Sequence, residues 1–287
     1  MDQEIKLKEL NLNVPIISET DIVLDEVIGK GSQGIVRKGL WGEVIVAVKS
    51  IKVNFNDHKR ILNEIYILNK IQHENIIKML AVYPSKDHYN ILMEYFDGDS
   101  LDDILFNSRL NMVDGESDYK SIQFNLDVKN HIGYQILKAV KYLHDNRIIH
   151  GDIQVPNILV NSNYDIKLID FGISKFEYLT ENSNNLYDKV YGITDKIYIE
   201  ILIGYDIWFT AKVLIEIYNE VREFALPYLN SQNYIPNVTN VPEFLKNILI
   251  ACFNADYKTR PTIKFILKAY DNELCRKDPN NYACESM

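Results

Sequence analysis

Two short polar motifs near the middle of the chain contain residue types that can bind a metal ion and a phosphate. In the first, at positions 150–157 (HGDIQVPN), Asp152 and Asn157 are separated by four residues, and the second is Asp170-Phe171-Gly172. Carboxylate and amide oxygens are ligands that Mg²⁺ accepts, and a carboxylate on a loop can also take a proton from a reacting hydroxyl. If the intervening chain folds back as a hairpin, Asp152, Asn157 and Asp170 converge on one metal-phosphate site.

A glycine-rich stretch closer to the start of the chain could approach a phosphate through its backbone. Its residues are Gly29, Lys30, Gly31, Ser32, Gln33, Gly34, Ile35 and Val36. Glycine lets the backbone come close to a ligand and expose its amide donors. The same spacing also occurs in hairpin turns that bind nothing, so the stretch alone leaves both interpretations open.

A lysine and a glutamate with opposite charges occur on segments whose apolar patterns predict a buried face. Lys49 ends the segment 46–49 (VAVK), and because side chains alternate along a strand it shares a face with Ala47. Glu64 lies within the apolar helical pattern of residues 61–68, on the side predicted to be buried. A lysine on a strand is usually solvated, but a buried one needs an opposite charge. The sequence therefore predicts a Lys49–Glu64 pair.

The elements that must position these residues change character along the chain. Strand-like segments and tight turns dominate the first part, with one helix at 57–71; the strands are predicted at 22–28, 35–38, 44–49, 76–82 and 91–95. A long amphipathic helix at 127–144 and a hairpin of 158–160 with 166–169 follow, and the rest to about residue 270 is predicted to be mostly helical. Residues 107–123 are predicted to be an exposed connection.

Composition limits the classes of function. The chain has 287 residues with 47% hydrophobic and 25% charged residues, which is typical of one globular unit, and its net charge of -9 argues against binding nucleic acid. The sequence contains no apolar run long enough for membrane insertion and no signal peptide pattern. Its three cysteines have no zinc-like spacing and are odd in number, so we expect no disulfide framework and a reducing compartment such as the cytoplasm.

With these motifs in this order, the sequence from about Ile22 to Lys268 resembles the eukaryotic-type protein kinase family. Around Gly39-Leu40-Trp41 and positions 46–49 it is most similar to the tyrosine kinase-like group, which includes Raf-type and mixed-lineage kinases. The resemblance implies an α+β, two-lobed fold with a small N-terminal antiparallel sheet, one helix, and a larger, mostly helical C-terminal lobe. It divides the chain into a lead-in (1–20), a kinase domain (21–270, with lobes of about 21–95 and 96–270) and a tail (271–287).

The resemblance also implies a role for each candidate site residue. Positions 29–36 would cover the phosphates of ATP, Lys49 would contact the α and β phosphates, and Glu64 would hold Lys49. Asp152 would be the catalytic base, while Asn157 and Asp170 would hold Mg²⁺, with Mn²⁺ as a substitute. The adenine would lie against Met93 as gatekeeper, the backbone of Glu94 and Phe96, and the side chains of Ile28, Val36, Ala47 and Leu159. The implied reaction is phosphorylation of a protein substrate, and we expect serine or threonine as the acceptor.

Two motifs of the last hundred residues resemble structural markers of the family. Asp206-Ile207-Trp208 resembles the start of the buried helix of the large lobe, and positions 256–262 resemble the closing signature of the family. By that resemblance, Glu200 would pair with Arg260 in a buried ion pair.

Three departures from the family pattern keep other functions open. Gly151 and Gln154 stand where many members have arginine and lysine, and Tyr198-Ile199-Glu200 replaces Ala-Pro-Glu with a short interval before Asp206. A small-molecule phosphotransferase of the aminoglycoside or choline kinase type and a pseudokinase scaffold are the alternatives. Without the arginine that would receive a phosphate, we also expect the segment 173–199 to need no phosphorylation at Thr180, Ser183, Tyr187 or Thr194.

Overall fold

The computed structural model describes residues 2–31, 34–53, 58–107, 124–177, 192, 195–223 and 234–277, and every structural statement below concerns these residues. The chain forms two compact units. The first consists of Met1–Asp97 with Ile169–Thr194, and the second consists of Gly98–Leu168 with Asp195–Met287.

The first unit is built on a five-stranded antiparallel sheet with strand order β1-β2-β3-β5-β4. Its strands are β1 (Ile22–Gly31), β2 (Gly34–Trp41), β3 (Val44–Lys52), β4 (Met79–Pro84) and β5 (His88–Glu94). Helix α2 (His58–Lys70) lies within one residue of its predicted bounds at both ends, and its apolar face is buried as the helical period indicated. The expected sheet with a single intervening helix is therefore confirmed.

The glycine-rich stretch is more regular than the sequence predicted. β1 continues to Gly31, which pairs with Gly34 at the start of β2, so the predicted strand end at residue 28 is wrong. Ser32 and Gln33, which separate Gly31 from Gly34 in the sequence, lie outside the described residues. Gly34 has φ 150°, and a Cβ there would lie 2.4 Å from the carbonyl oxygen of Ser50. Strand packing therefore requires this glycine, whatever the stretch binds.

The lead-in also differs from the prediction, because it contains a helix, α1 (Asp2–Glu9). Leu7 in α1 is completely buried, and α1 contacts β4. After α1, the Val82 N–H donates to the Pro15 carbonyl at 3.1 Å and the Ile17 N–H donates to the Val82 carbonyl at 3.0 Å. The lead-in thus covers the outer edge of β4, which would otherwise present unpaired backbone groups.

Truncation of Leu7 to alanine is expected to destabilise the protein by about 3 kcal/mol, because it leaves a cavity under α1. For a protein of this size, that corresponds to a melting temperature about 6–12 °C lower. Ile5 in the same helix is 52% exposed and serves as the matched control, so Ile5→Ala should change the melting temperature by less than about 2 °C. Equal losses in the two variants, measured by scanning calorimetry, would contradict the packing described for α1.

The second unit is mainly helical. Its helices are α3 (Leu126–Asp145), α4 (Lys196–Asn219), α5 (Glu243–Cys252) and α6 (Ile263–Lys277). Its strands are β6 (Gly98–Ser100), β7 (Ile148–Ile149), β8 (Ile158–Asn161) and β9 (Ile166–Leu168), and a further short strand, β10 (Lys175–Phe176), belongs to the first unit. The predicted hairpin is present as β8 and β9. Most of the predicted connection at 107–123 lies outside the described residues.

Helix α4 starts earlier than the sequence indicated. It runs without a break from Lys196 to Asn219, so Asp206 lies in its interior rather than at the start of a helix. Its beginning is fixed by Asp195, whose side chain accepts a hydrogen bond from the Tyr198 N–H at 3.1 Å. The short interval between Glu200 and Asp206 is therefore helical and contains no loop.

Arg260 is buried as expected, but its partners differ from the predicted one. Its Nε donates to the Asn254 carbonyl at 2.9 Å and its Nη1 to the Gly204 carbonyl at 2.6 Å. Between the described residues there is no Glu200–Arg260 ion pair, so that prediction is wrong. Because α4 is continuous, Gly204 lies one turn beyond Glu200, and a side chain larger than glycine there would collide with Tyr257. The guanidinium thus packs against the helix backbone.

Two further observations bear on the expected surroundings of the protein. No helix among the described residues is both long and apolar enough to cross a bilayer.

Cys252 is a free, buried thiol, whereas Cys275 is disulfide-bonded, which the odd number of cysteines had led us not to expect. A disulfide requires the Cα atoms of two cysteines to approach within about 6 Å. The spacing of the cysteines along the sequence does not exclude such an approach. The cysteines therefore give no support to the expected reducing compartment.

Candidate active site

Strand β3 and helix α2 bring Lys49 and Glu64 together inside the first unit. Lys49 Nζ lies 2.6 Å from Glu64 Oε1, and the two residues are 7% and 1% exposed. The alternation of β3 turns Lys49 inward, and the apolar face of α2 carries Glu64 with it. The pair is as the sequence predicted, and the glutamate compensates for burying the ammonium.

Asp170 completes this cluster in the first unit. Its Oδ1 lies 3.0 Å from Lys49 Nζ and accepts a hydrogen bond from the Gly172 N–H at 3.2 Å. The backbone of Asp170 is left-handed, with φ 64°, which is uncommon for a residue other than glycine. Such strain persists only where the surroundings hold it, and it occurs preferentially at functional sites.

The two carboxylates decide the charge of Lys49. Burial alone would lower the pKa of Lys49, but Glu64 and Asp170 outweigh it and raise the pKa above its ordinary value. Lys49 therefore keeps its positive charge through the physiological range. A buried cation whose position is fixed by two carboxylates is suited to binding an anionic ligand, such as a phosphate group.

In the second unit, Asp152 and Asn157 form a separate cluster with Gln154. Asn157 Nδ2 donates to Asp152 Oδ2 at 2.8 Å and to the Asp152 carbonyl at 2.9 Å. Gln154 Nε2 lies 3.0 Å and 3.1 Å from the two carboxylate oxygens of Asp152. The carboxylate is thus oriented by two neutral amides. Gln154 occupies the position where a lysine was expected from the family pattern.

The sequence did not predict which contacts fix the backbone of the loop that contains Asp152. Asp206, which is completely buried, accepts hydrogen bonds from the backbone N–H groups of His150 at 2.9 Å and Gly151 at 2.8 Å, and His144 Nε2 lies 3.1 Å from its Oδ2. Gly151 has φ 82°, a left-handed conformation that glycine adopts without strain. Gly151 therefore suits the backbone of this loop, although it lacks the charge of an arginine. An acidic residue inside the apolar helix α4 was the available signal.

The residues predicted to contact adenine differ in exposure. Ala47 and Met93 face each other across β3 and β5, with Ala47 buried and Met93 half-buried. Ile28 remains 45% exposed, and Ile35, which was predicted to lie over the phosphates, is 37% exposed, so apolar surface is uncovered in the first unit. Three further predicted contact residues are half-buried: Val36, Phe96 and, in β8 of the second unit, Leu159.

The remaining predicted nucleotide residues lie around the same sheet. The Glu94 N–H donates to the Lys78 carbonyl at 3.0 Å, so a contact of Glu94 with adenine would use its carbonyl oxygen. Lys30 is exposed, and a Cβ added at Gly31 would meet nothing within 4 Å. The backbone at Gly31 is thus open to a ligand. Ser32 and Gln33 lie outside the described residues.

The metal ligands expected by resemblance, Asp170 and Asn157, belong to different units of the chain. No group of three or more His, Cys, Asp or Glu side chains capable of holding a metal occurs within the described part of the chain. Mg²⁺ is commonly held by one or two protein oxygens together with substrate phosphates and water, and a carboxylate and an amide oxygen are donors of the type it accepts. The hydrogen bonds of Asn157 to Asp152 use its Nδ2, and Oδ1 takes no part in them.

The comparisons with known proteins identify the family. Residues 22–270 match the family described as protein kinase domain, which is well over half of the chain, so the chain belongs to the protein kinase family. It is 28% identical over 88% of its length to a probable serine/threonine-protein kinase of Dictyostelium discoideum. It is 27% identical over 85% of its length to mitogen-activated protein kinase kinase kinase A of the same organism, and 26% over 87% to tyrosine-protein kinase Src64B of Drosophila melanogaster.

These relatives are longer proteins. The chain covers 28%, 27% and 46% of their respective lengths. The similarity therefore covers only part of each relative, and members of the protein kinase family generally use ATP with Mg²⁺.

Proposed function

We propose that this chain is an ATP-dependent protein kinase that transfers the γ-phosphate of Mg-ATP to a serine or threonine hydroxyl of a protein substrate. The observation that carries the proposal is the Lys49 cluster, in which one buried ammonium contacts Glu64 at 2.6 Å and Asp170 at 3.0 Å. A buried charge cluster is costly to keep unless it is used or fully paired. The family membership supports the proposal independently.

Each polar side chain of the two clusters has a role in this reaction. Lys49 binds the α and β phosphates while Glu64 and Asp170 fix its position. Asp152 accepts the proton of the attacking hydroxyl, and Asn157 and Gln154 orient its carboxylate for that transfer. Asn157 and Asp170 would hold Mg²⁺. When bound, the metal neutralises negative charge on the phosphate oxygens.

The nucleotide base is proposed to bind through apolar and backbone groups. Ala47 and the partly exposed Ile28 and Val36 would contact the faces of adenine, together with Leu159. The backbone of Glu94 and Phe96 would supply hydrogen bonds, with Met93 beside them as gatekeeper. Adenine stacks between such side chains because both of its faces are apolar, while its edge needs polar partners.

The finer grouping is part of the same proposal. The chain is similar at nearly equal identity to proteins named serine/threonine kinases and to proteins named tyrosine kinases, at 28% and 26%. The tyrosine kinase-like group is proposed from the resemblance around Gly39-Leu40-Trp41 and positions 46–49. We keep serine or threonine as the proposed acceptor because two relatives at 28% identity are named probable serine/threonine-protein kinases.

The acceptor class is tested by incubating the protein with γ-labelled ATP, Mg²⁺ and either generic protein substrates or choline and aminoglycosides. We expect label in protein, recovered after acid hydrolysis as phosphoserine or phosphothreonine. Label only in the small alcohols would support the small-molecule phosphotransferase instead. Phosphotyrosine alone would overturn the proposed acceptor, and no label in any substrate would favour a pseudokinase scaffold.

ATP is expected to stabilise the protein strongly only when a divalent metal is present. The phosphates carry several negative charges, and the Asp170 carboxylate would repel them without a cation between. At a ligand concentration of about 100 Kd the gain is about 2.7 kcal/mol, or a melting temperature about 5–10 °C higher. Asp170→Asn should lose most of this metal dependence. A thermal shift that is the same with Mg²⁺ and with EDTA would contradict Asp170 as a metal ligand.

A further inference from the structure

Asn63, the residue before Glu64 in α2, makes a contact that the proposed reaction does not yet use. Its side chain is only 8% exposed, and its Nδ2 donates to the backbone carbonyl of Ser174 at 2.9 Å. Ser174 itself is completely buried and lies four residues beyond Asp170. The hydrogen bond thus joins α2 to the segment that follows Asp-Phe-Gly.

A second contact joins the same two parts of the first unit. The rings of Tyr66 and Phe176 lie with their centroids 5.5 Å apart. Asn63 and Tyr66 are three residues apart in α2 and therefore lie on neighbouring positions of one helix face. That face contacts residues 174–176, whereas Glu64 points to Lys49.

These contacts close a ring around the catalytic cluster. Lys49 binds Glu64 and Asp170, Asp170 continues through Gly172 to Ser174, and Ser174 returns to α2 through Asn63. In such a ring the position of Glu64 depends on the position of Asp170 through Lys49, through the Asn63 hydrogen bond and through the packing of Tyr66 against Phe176. Loss of the Asn63 hydrogen bond removes the contact that lies nearest to Asp170 along the segment.

We propose that Asn63 is a positioning residue that ties α2 to the segment after Asp170 and so holds Lys49, Glu64 and Asp170 in their reactive arrangement without a phosphate on that segment. The inference rests on the proposed kinase function. Phosphorylation orders a segment by creating charge-assisted hydrogen bonds, usually to arginine, and Gly151 offers no such side chain. The Asn63 amide provides a neutral tie that is permanently available.

The hydrogen bond is suited to this role because both partners are buried. A buried backbone carbonyl that loses a hydrogen bond pays a desolvation cost, which favours movement of the segment toward another donor or water. Such a movement would carry Asp170 with it, because only three residues separate the two. The effect of removing Asn63 should therefore reach the reaction through Asp170 and Lys49.

The test compares Asn63→Leu with Asn90→Leu in the full chain. Asn90 is a matched control because it is 4% exposed and its Nδ2 also donates to a backbone carbonyl, that of Tyr83. Both proteins are treated with phosphatase and checked by mass spectrometry. Hydrogen exchange of the backbone amides at 171–177 and the initial rate at saturating Mg-ATP are then measured.

We expect Asn63→Leu to speed exchange in this segment by about tenfold or more and to lower the rate by about tenfold or more, with Asn90→Leu within about threefold of the wild type in both. Unchanged exchange and rate in Asn63→Leu would overturn the proposal. Failure of both Asn63→Leu and Asn63→Ala to fold, with Asn90→Leu folded, would also overturn it, because Asn63 would then be needed for stability alone. If the wild type transfers no phosphate, the proposed function fails, while the exchange comparison still decides the coupling.

Discussion

Replacing Lys49 with methionine is expected to lower phosphotransfer by about a hundredfold to a thousandfold, because it removes the ammonium that contacts both Glu64 and Asp170. The phosphates would lose a preorganised donor. The variant should still fold, since burial already raises the pKa of Glu64 above its ordinary value and the carboxyl can take up a proton once the ammonium is gone.

Lys52→Met is the matched control for this experiment. Lys52 lies at the end of the same strand but is exposed, so its loss should change the initial rate by less than about twofold. Rates are compared at saturating Mg-ATP after circular dichroism has shown equal secondary structure. A Lys49→Met protein that keeps more than about a tenth of the wild-type rate would contradict the role assigned to Lys49.

Arg260→Met is expected to destabilise the protein by about 3 kcal/mol. The substitution leaves the carbonyls of Gly204 and Asn254 without the donors that now reach them at 2.6 Å and 2.9 Å. Burial lowers the pKa of Arg260, because burying the charged guanidinium has a desolvation cost. Methionine carries no charge and avoids that cost, which offsets part of the stability lost with the two hydrogen bonds. We expect the melting temperature to fall by about 6–12 °C.

Glu200→Gln separates this account from the ion pair that the family resemblance implied. If Arg260 is held by backbone carbonyls alone, removing the charge of Glu200 should cost less than about 0.5 kcal/mol. An equal loss of about 3 kcal/mol in both variants would mean that the ion pair forms after all. Midpoints of denaturant unfolding measured at constant m-value give this comparison.

Much of the Lys49 cluster could be predicted from the sequence. The alternation around Lys49 and the helical spacing around Glu64 each indicate a buried side, and two buried opposite charges require one another. The strands and α2 were predictable for the same reason, because one face of each element is strongly apolar. What periodicity indicates is which residues are buried.

The features that could not be predicted from the sequence depend on contacts that no local sequence pattern indicates. Helix α1 buries little more than Leu7 and so lacks an apolar stripe. The left-handed backbone of Gly151 is set by Asp206, which lies 55 residues further along the chain. Arg260 was assigned to Glu200 by resemblance, yet the continuous helix α4 offers it a carbonyl instead. The hydrogen bond from Asn63 to Ser174 spans 111 residues.

The rate of phosphate transfer by the wild type and by Asp152→Asn, purified in parallel and assayed with γ-labelled Mg-ATP and a generic protein substrate, tests whether this kinase domain is catalytic. Asparagine keeps the shape of Asp152 but cannot accept the proton of the hydroxyl, so we expect a rate lower by about a hundredfold or more. The melting temperatures of the two proteins should agree within about 3 °C. Equal rates in the two proteins, including no transfer by either, would contradict phosphotransfer with Asp152 as the base.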